Sequence, residues 1–411
     1  MFMDISRLLS RAGNPVPTGI DRVEMEYVLY LLDHAAERTI FVAMHPFGHI
    51  GVLEHDEVIT FIEQTAALWD GKEAFPHKAT WNARRLVFAR TLMSRRTLPS
   101  GGIYLLLSHH HLSRPDAIAR FIRRHGAVFV PMIHDLIPLE FPEYARPAEP
   151  ARHLRRIATV TALADGVIVP SKVVADSLAP FIARSGRDIP VTVIPHGLHL
   201  HALQAAAATA PVPKQDGRPY FVSLGTIEPR KNHLLLLNVW RDLVHEMGDA
   251  APQLILVGRR GWENENVLDM LDRCPALRGH VFEHNDLSDL QVVTLLQHAQ
   301  GLLFPSFAEG FGLPLAEALG LGVPCICSDL AVFREIAGNA VTYLNPLDGP
   351  GWRSAILAHM PQARPHRLDQ AEIAALGFAD WPSQAAKGID FSESIAPDTS
   401  GHNRWKLRSI S

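Results

Sequence analysis

Cysteine is scarce in this sequence, since only Cys274, Cys325 and Cys327 occur among 411 residues. Three cysteines without metal-ligand spacing provide neither a disulfide framework nor a zinc site, and they predict a reducing, cytoplasmic location. Cys325 and Cys327 alternate within an apolar run, so we expect both to be small core residues on a strand.

An excess of charge of either sign is missing as well. The chain has 39 Lys and Arg against 43 Asp and Glu, a net charge of −4, which does not favour a nucleic-acid partner. The first ten residues, MFMDISRLLS, lack the basic-then-apolar pattern of a signal peptide. The longest stretch without charged side chains, Ile189–Pro213, contains four prolines and is not expected to span a membrane.

Sequence patterns for metal ions and dinucleotides are also absent. No Asp-x-Asp occurs, which removes the usual carrier of a divalent ion in nucleotide-sugar chemistry. The run His109–His111 is a weak metal candidate, because consecutive residues on a strand cannot all point at one ion. No Gly-x-Gly-x-x-Gly follows the first strand, which disfavours a nucleotide-dependent dehydrogenase. We therefore expect no metal and no cofactor.

Short apolar runs alternate with helical patterns along most of the chain, which indicates parallel sheets with crossover helices. The length favours two domains. We predict an N-terminal α/β domain over 1–205, a linker over 206–217, a second α/β domain over 218–385 and a poorly ordered tail over 386–411.

Several polar or small residues of the first domain follow predicted strands. They are Gly19, His109–His111, His134, Asp135 and Ser171. In open α/β sheets the ligand crevice lies at the carboxyl ends of the strands, so these positions are candidate site residues. A lone histidine in such a position is often only a structural hydrogen-bonding residue, and this alternative stays open for His134.

The stretch Phe304–Ser328 carries the strongest pattern. A buried strand ends at Pro305, and a loop with Glu309, Gly310 and Gly312 leads to a helix opened by Pro314. A glycine-flanked loop before a helix N-terminus binds phosphate well. Glu309, and Glu317 eight positions later, would repel phosphate unless they face sugar hydroxyls, so the pattern indicates a site for a phosphate-bearing sugar.

A second cluster, Gly225–Asn232, follows the first strand of the second domain. Arg230 and Lys231 stand where a helix begins, which is unfavourable for cations unless an anion compensates them. A solvated surface pair is the alternative. Together with the loop at Glu309, a diphosphate site is the better interpretation.

These two segments resemble the signature regions of the retaining nucleotide-sugar glycosyltransferases of family 4, which have the GT-B fold. Glu309 and Glu317 match the Glu-x7-Glu motif of that family, and EGFGLPLAEALGLGVPCICSD follows its pattern almost throughout. Thr18–Glu24 and Met132–Tyr144 are similar to bacterial members that build surface polysaccharides, several of them mannosyltransferases. The resemblance covers roughly 1–385 and implies two Rossmann-like domains whose parallel sheets face a central cleft.

The resemblance also implies roles for individual residues. Glu309 would hold hydroxyls of the donor sugar, Glu317 the ribose, and His134 would face the sugar from the other domain. The diphosphate would contact a set of cationic and backbone groups, namely Gly19, Arg230, Lys231, Gly310, Phe311 and Gly312. Glu309, His134, Lys231 and Arg230 would form the catalytic set, and the donor would be a nucleotide-diphosphate sugar, GDP-mannose as the best guess.

Two departures from the family pattern accompany the resemblance. Pro195–His199 reads Pro-His-Gly-Leu-His where members often have Pro-Asn-Gly-Val-Asp. The long closing helices of the family look shortened after Leu357, although Phe378–Trp381 retains part of a Phe-Ser-Trp element.

The partners implied are the donor and a glycan or lipid-linked oligosaccharide acceptor. The segment Arg84–Arg96 mixes arginines with apolar residues, which suggests either a peripheral contact with an anionic membrane or a core-packed helix with a solvated arginine side. Three other functions stay open: a nucleotide-sugar epimerase or phosphorylase of the same fold, a dehydrogenase, and a non-catalytic scaffold that binds nucleotide-sugar or glycan.

Overall fold

A computed structural model of the chain describes residues 1–69, 76–87, 100–199, 217–360 and 366–396. Within them the chain forms two compact units. Unit 1 comprises Met1–Leu139, Ala148–His196 and the chain from Trp381 onward, and unit 2 comprises Glu140–Pro147 and Gly197–Asp380. No helix in these described ranges is both long enough and apolar enough to cross a bilayer.

Both units are built from short parallel strands alternating with helices. The strands are β1 (Phe2–Asp4), β2 (Ile40–Met44), β3 (Ile50–Val52), β4 (Ile103–Leu106), β5 (Val128–Pro131), β6 (Val167–Val169), β7 (Val191–Val193), β8 (Tyr220–Leu224), β9 (Gln253–Val257), β10 (Val281–His284), β11 (Gly301–Phe304), β12 (Cys325–Ser328) and β13 (Thr342–Leu344).

The helices connect these strands. They are α1 (Ser6–Ser10), α2 (Gly19–His34), α3 (His55–Trp69), α4 (Pro76–Arg85), α5 (Pro115–His125), α6 (Ile137–Glu140), α7 (Glu149–Leu163), α8 (Lys172–Ser185), α9 (His233–Met247), α10 (Glu265–Arg273), α11 (Asp289–His298), α12 (Leu313–Gly320), α13 (Ala331–Ala337), α14 (Gly349–Ala358), α15 (Gln370–Ala375) and α16 (Trp381–Ile395). Single 3-10 turns lie at Ala36–Arg38, Pro142–Tyr144, Pro229–Lys231, Gly248–Ala250 and Pro275–Leu277.

The sheet of unit 1 has the order β3-β2-β1-β4-β5. Its strands are parallel except β3, which pairs antiparallel with β2. A backbone hydrogen bond of 2.9 Å from Ile133 N–H to the Ile168 carbonyl links the end of β5 to the parallel pair β6-β7. The strands are apolar on both faces because helices cover both sides, which is the pattern of a buried parallel sheet.

The sheet of unit 2 has the order β10-β9-β8-β11-β12-β13, with every neighbouring pair parallel. Numbered within the unit, this is the 3-2-1-4-5-6 order of the doubly wound Rossmann fold. The strand order reverses between β8 and β11, and ligands of such sheets bind beyond the carboxyl ends of the strands at this switch point. The loops after β8 and β11 are therefore the first places to look for a site.

Most of the strands predicted from the sequence are present, and Cys325 and Cys327 are confirmed as buried residues of β12. Two strands were missed, β3 and β13. Each has only three residues, but β1, β6 and β7 are equally short and were predicted, so strand length does not explain the omission.

The C-terminal region differs most from the prediction. Residues 386–395 were assigned to a poorly ordered tail, but they form the C-terminal part of α16. This helix belongs to unit 1 rather than to the second domain. It packs closely on α2, because a Cβ atom at Gly388 would lie 2.3 Å from the Tyr27 hydroxyl. Tertiary packing therefore orders a helix whose sequence is weakly patterned. Of the predicted linker, 206–216 lies outside the described residues.

Candidate functional site

The loop after β8 depends on glycine. Gly225 has φ +136° and Gly258 has φ +156°, in the region that favours glycine. A Cβ atom at Gly258 would lie only 2.0 Å from the Gly225 carbonyl oxygen. A Cβ atom at Gly225 would lie 3.3 Å from Lys231 Cε. Both glycines therefore let the ends of β8 and β9 approach each other and leave room for the lysine side chain.

The same loop is tied to the loop after β11. Asn232 follows the 3-10 turn Pro229–Lys231 with φ +56°. Its side-chain amide donates to the carbonyls of Pro305 (3.2 Å) and Pro346 (2.8 Å). Phe307 N–H donates to the Arg230 carbonyl at 2.8 Å. These bonds fix the cations of one loop against the acid of the other.

Glu309 is the centre of the resulting cluster. Its Oε1 accepts from Lys231 Nζ at 2.5 Å and from the Ser306 hydroxyl at 2.7 Å. Its Oε2 lies 2.7 Å from an Arg230 guanidinium nitrogen. A carboxylate offers about four acceptor positions, so these contacts leave about one of them for a ligand hydroxyl.

The electrostatics of Glu309 follow from these contacts. Burial by itself raises the pKa of this carboxyl group, but Arg230, Lys231 and the bonds from Lys231 and Ser306 outweigh burial and lower the pKa to about 2. Glu309 is therefore ionised at neutral pH.

Glu228 completes the charge balance. Its Oε1 lies 2.8 Å from Arg230 Nε, and its side chain is buried. Two buried carboxylates thus accompany two cations, and Arg230 also donates to the Ala308 carbonyl at 2.9 Å. Sequence reasoning proposed an anionic ligand to balance Arg230 and Lys231. The structure shows that the protein itself supplies two anions, Glu228 and Glu309. Glu228 belongs to the segment Gly225–Asn232 but was not predicted as a site residue.

The loop Gly310–Gly312 follows Glu309 directly and leads into α12. Gly312 has φ +116°, and a Cβ atom there would lie 2.8 Å from a ring carbon of Phe333, so only glycine fits. The N-cap residue of α12 is Gly312, which has no side chain to cap the helix, and Pro314 stands in the first turn. A helix N-terminus of this kind is suited to an anion.

Glu317 lies on α12 itself and is partly exposed. The structure thus brings Arg230, Lys231 and Glu309 into direct contact, places Gly310, Phe311 and Gly312 next to them in the chain, and sets Glu317 on the following helix. The contact of Glu317 with a ribose stays a prediction.

His134 and Gly19 belong to unit 1. The His134 ring is buried, with Nε2 2.7 Å from the Leu107 carbonyl, and burial lowers its pKa to about 4. Its ring lies 5.3 Å from the ring of the buried His109 and 5.8 Å from the ring of the half-buried His196. Gly19 is the exposed first residue of α2, whose N-terminus is capped by Thr18 and Asp21. The donor-binding roles of both residues stay predictions.

Among the described residues, no group of three or more His, Cys, Asp or Glu side chains could hold a metal ion. His111, from the run that suggested a metal, instead lies 3.2 Å from Asp4.

Comparison with known proteins supports the interpretation of unit 2. Residues 206–345 match the model of the family described as glycosyl transferases group 1. The serotype-specific mannosyltransferase WbdA of Escherichia coli is 30% identical over 243 residues, 54% of this chain and 29% of the relative. The O-antigen chain mannosyltransferase B of Escherichia coli is 36% identical over 144 residues, 35% of this chain and 36% of the relative. The matched stretch thus spans about a third of these relatives.

A solved structure extends the similarity to the fold of the whole chain. The α,α-trehalose 6-phosphate synthase of Burkholderia multivorans superposes with a TM-score of 0.63, covering 96% of this chain and 97% of that one at 12% sequence identity. The fold is GT-B, with two Rossmann-like units. The stretch that matches the glycosyl transferases group 1 model, residues 206–345, includes Arg230, Lys231 and Glu309.

Proposed function

We propose that this protein is a retaining glycosyltransferase that moves a hexose, mannose in the first instance, from a nucleotide-diphosphate sugar to a hydroxyl group of a glycan or lipid-linked acceptor in cell-surface polysaccharide synthesis. The observation that carries this proposal is the Arg230–Lys231–Glu309 cluster at the switch point of a Rossmann sheet, within the matched domain. GDP-mannose is the proposed donor because the relatives are named as mannosyltransferases.

The chemistry we propose follows the movement of charge. Breaking the bond between the anomeric carbon and the diphosphate leaves negative charge on the diphosphate. Arg230, Lys231 and the N-terminus of α12 stabilise that charge without a metal ion. The acceptor hydroxyl attacks on the face that the diphosphate leaves, so the anomeric configuration is retained, and its proton passes to the departing phosphate oxygen.

The carboxylates have a positioning role in this scheme. Glu309 and Glu228 hold Arg230 and Lys231 in place before the donor arrives, so little reorganisation is needed when charge develops. The remaining acceptor position of Glu309 is then available to one hydroxyl group of the donor sugar.

We further propose that the enzyme works in the cytoplasm, where nucleotide sugars are its donors. A peripheral membrane contact through Arg84–Arg96 belongs to this proposal; of that segment, 88–96 lies outside the described residues. Flotation with vesicles that contain or lack anionic lipid tests the contact, which the proposal expects only with anionic lipid.

The decisive experiment is product analysis by mass spectrometry and NMR after incubation with GDP-mannose and a saccharide acceptor, alongside UDP-sugars and a chelator. We expect a new glycosidic bond with the anomeric configuration of the donor, formed at an unchanged rate in EDTA. Inversion or strict metal dependence would contradict the mechanism. If the sugar nucleotide is altered without an acceptor, the protein is an epimerase. If it binds the sugar nucleotide without any turnover, it is a scaffold.

A further inference from the structure

Unit 1 contains a pocket at the position that corresponds to the site of unit 2. It lies beyond the carboxyl ends of β1, β2 and β4, and β1 and β4 flank the point where the strand order reverses. Its volume is about 430 Å³, within the range of small-ligand sites. Ser6, His45, Arg84, His110, His111 and Arg114 are among its lining residues. All of them belong to unit 1.

The wall of this pocket is positively charged. Arg84 and Arg114 line it, and its described lining includes no Asp or Glu. Arg114 donates to the Pro46 carbonyl at 3.3 Å, and neither arginine has a carboxylate within 4.0 Å in the described parts of the chain. Guanidinium groups bind phosphate and carboxylate through paired hydrogen bonds, so this wall suits an anionic group.

His111 provides a second, independent feature. Its Nε2 lies 3.2 Å from Asp4 Oδ2 and 2.9 Å from the Tyr104 hydroxyl. That hydroxyl also donates to Asp4 Oδ2, at 2.8 Å, and Asp4 is fully buried. The ring orientation of His111 is therefore fixed by a carboxylate at one nitrogen.

The other ring nitrogen of His111, Nδ1, is buried and has no hydrogen-bond partner within the described structure. The side chain is only 3% exposed, and buried polar atoms are normally hydrogen-bonded. With Nε2 turned toward Asp4, Nδ1 points away from that carboxylate, and the residue lines the pocket. A hydroxyl group of a bound molecule would satisfy it.

We propose that this pocket binds an anionic saccharide, with Arg84 and Arg114 on its phosphate or carboxylate group and His111 Nδ1 on one of its hydroxyl groups. The inference rests on the proposed function, for which this molecule is the acceptor. It narrows the acceptor class from any glycan to one that carries negative charge near the hydroxyl that reacts.

Binding without donor tests this inference. Titration calorimetry compares mannose 6-phosphate, glucuronate, neutral mannose and inorganic phosphate. The two anionic sugars should bind more tightly than mannose, which has no charge, and more tightly than inorganic phosphate, which has no sugar hydroxyl group for His111. A preference for mannose 6-phosphate over glucuronate would identify phosphate as the anionic group that the pocket binds. A preference for glucuronate would identify a carboxylate.

Single substitutions test the role of each lining residue in binding. Arg84→Ala and Arg114→Ala should each weaken binding of the anionic sugars about tenfold or more and leave neutral mannose unaffected. Arg120→Ala, an exposed residue of α5 outside the pocket lining, is the matched control. His111→Gln, which retains a donor toward Asp4, should weaken both charged and neutral sugars.

The outcomes also separate this inference from the proposed function. Equal affinity for mannose and the anionic sugars, or no effect of the two arginine variants, would overturn the pocket assignment even if the enzyme transfers mannose. Arginine-dependent binding of anionic sugars without any transfer from a sugar nucleotide would support the pocket and contradict the proposed function.

Discussion

The switch points of the two sheets carry opposite arrangements of buried charge. In unit 2, Glu309 lies between Arg230 and Lys231, and its pKa falls to about 2. In unit 1, Glu24 of α2 is fully buried and lies near Asp4, and its Oε1 accepts a backbone hydrogen bond of 3.1 Å from Leu8 N–H. Burial and the charge of Asp4 raise the pKa of Glu24 to about 8.

This comparison shows that burial alone does not decide the charge of a glutamate. Desolvation raises the pKa in both places, and a cation within hydrogen-bonding distance reverses the outcome in one of them. Unit 2 thus keeps an ionised cluster suited to anion chemistry, whereas Glu24 is largely protonated at neutral pH and acts as a structural hydrogen-bonding group.

The largest effect on stability is expected from Glu309→Gln. The substitution leaves the buried Lys231 without its nearest counter-charge, so we expect a loss of about 3–5 kcal/mol in the free energy of unfolding. Denaturant unfolding at pH 7 measures it. Asp176→Asn, which breaks the exposed Lys172–Asp176 pair, is the control and should change little. Equally small losses in both variants would show that the ion pairs of Glu309 contribute no more to stability than the exposed Lys172–Asp176 pair.

Activity should depend on Lys231. Lys231→Ala removes one cation from the departing diphosphate, and losing one such contact reduces the rate about a hundredfold, or about 3 kcal/mol. Initial rates of mannose transfer measure the effect, and Lys172→Ala, an exposed lysine of α8, is the control. Circular dichroism must show that the Lys231 variant is folded. Full activity in a folded variant would contradict the site assignment.

A smaller, pH-dependent effect is expected from Glu24→Gln. Because the pKa of Glu24 is raised from 4.5 to about 8, the folded protein binds more protons than the unfolded chain between these pH values. The contribution of Glu24 to the stability of the folded protein is therefore complete below pH 4.5 and is lost as the pH rises through 8. The variant, whose amide oxygen still accepts from Leu8 N–H, should lose less stability than the wild type over this window.

Thermal unfolding between pH 5 and 8.5 tests this, with Glu63→Gln on the exposed side of α3 as control. Identical pH profiles for the wild type and the Glu24 variant would show that Glu24 is ionised, and the contrast with Glu309 would disappear. For Glu309 the sign is opposite: its lowered pKa contributes stability above pH 4.5 that is lost as the pH falls through 2.

The sequence indicates a candidate site in unit 2 more clearly than one in unit 1. The loop from Glu309 to Pro314 and the cations Arg230 and Lys231 are recognisable because glycines, a helix-opening proline and paired charges stand at fixed spacings. The pairing of Glu309 with both cations could not be read from the sequence, since the two loops are separated by 78 positions and meet only through the pairing of β8 with β11.

The sequence by itself determined the parallel α/β architecture, the buried cysteines of β12 and the residues of the Glu309 loop, because these depend on local periodicity and turn chemistry. Only the tertiary structure decided that α16 packs on α2 in unit 1, that Glu24 and Glu309 have opposite ionisation, and that His111 lies beside Asp4 in a basic pocket. Each of these depends on which distant side chains burial brings together, and burial determines both the desolvation of a group and the charges within its reach.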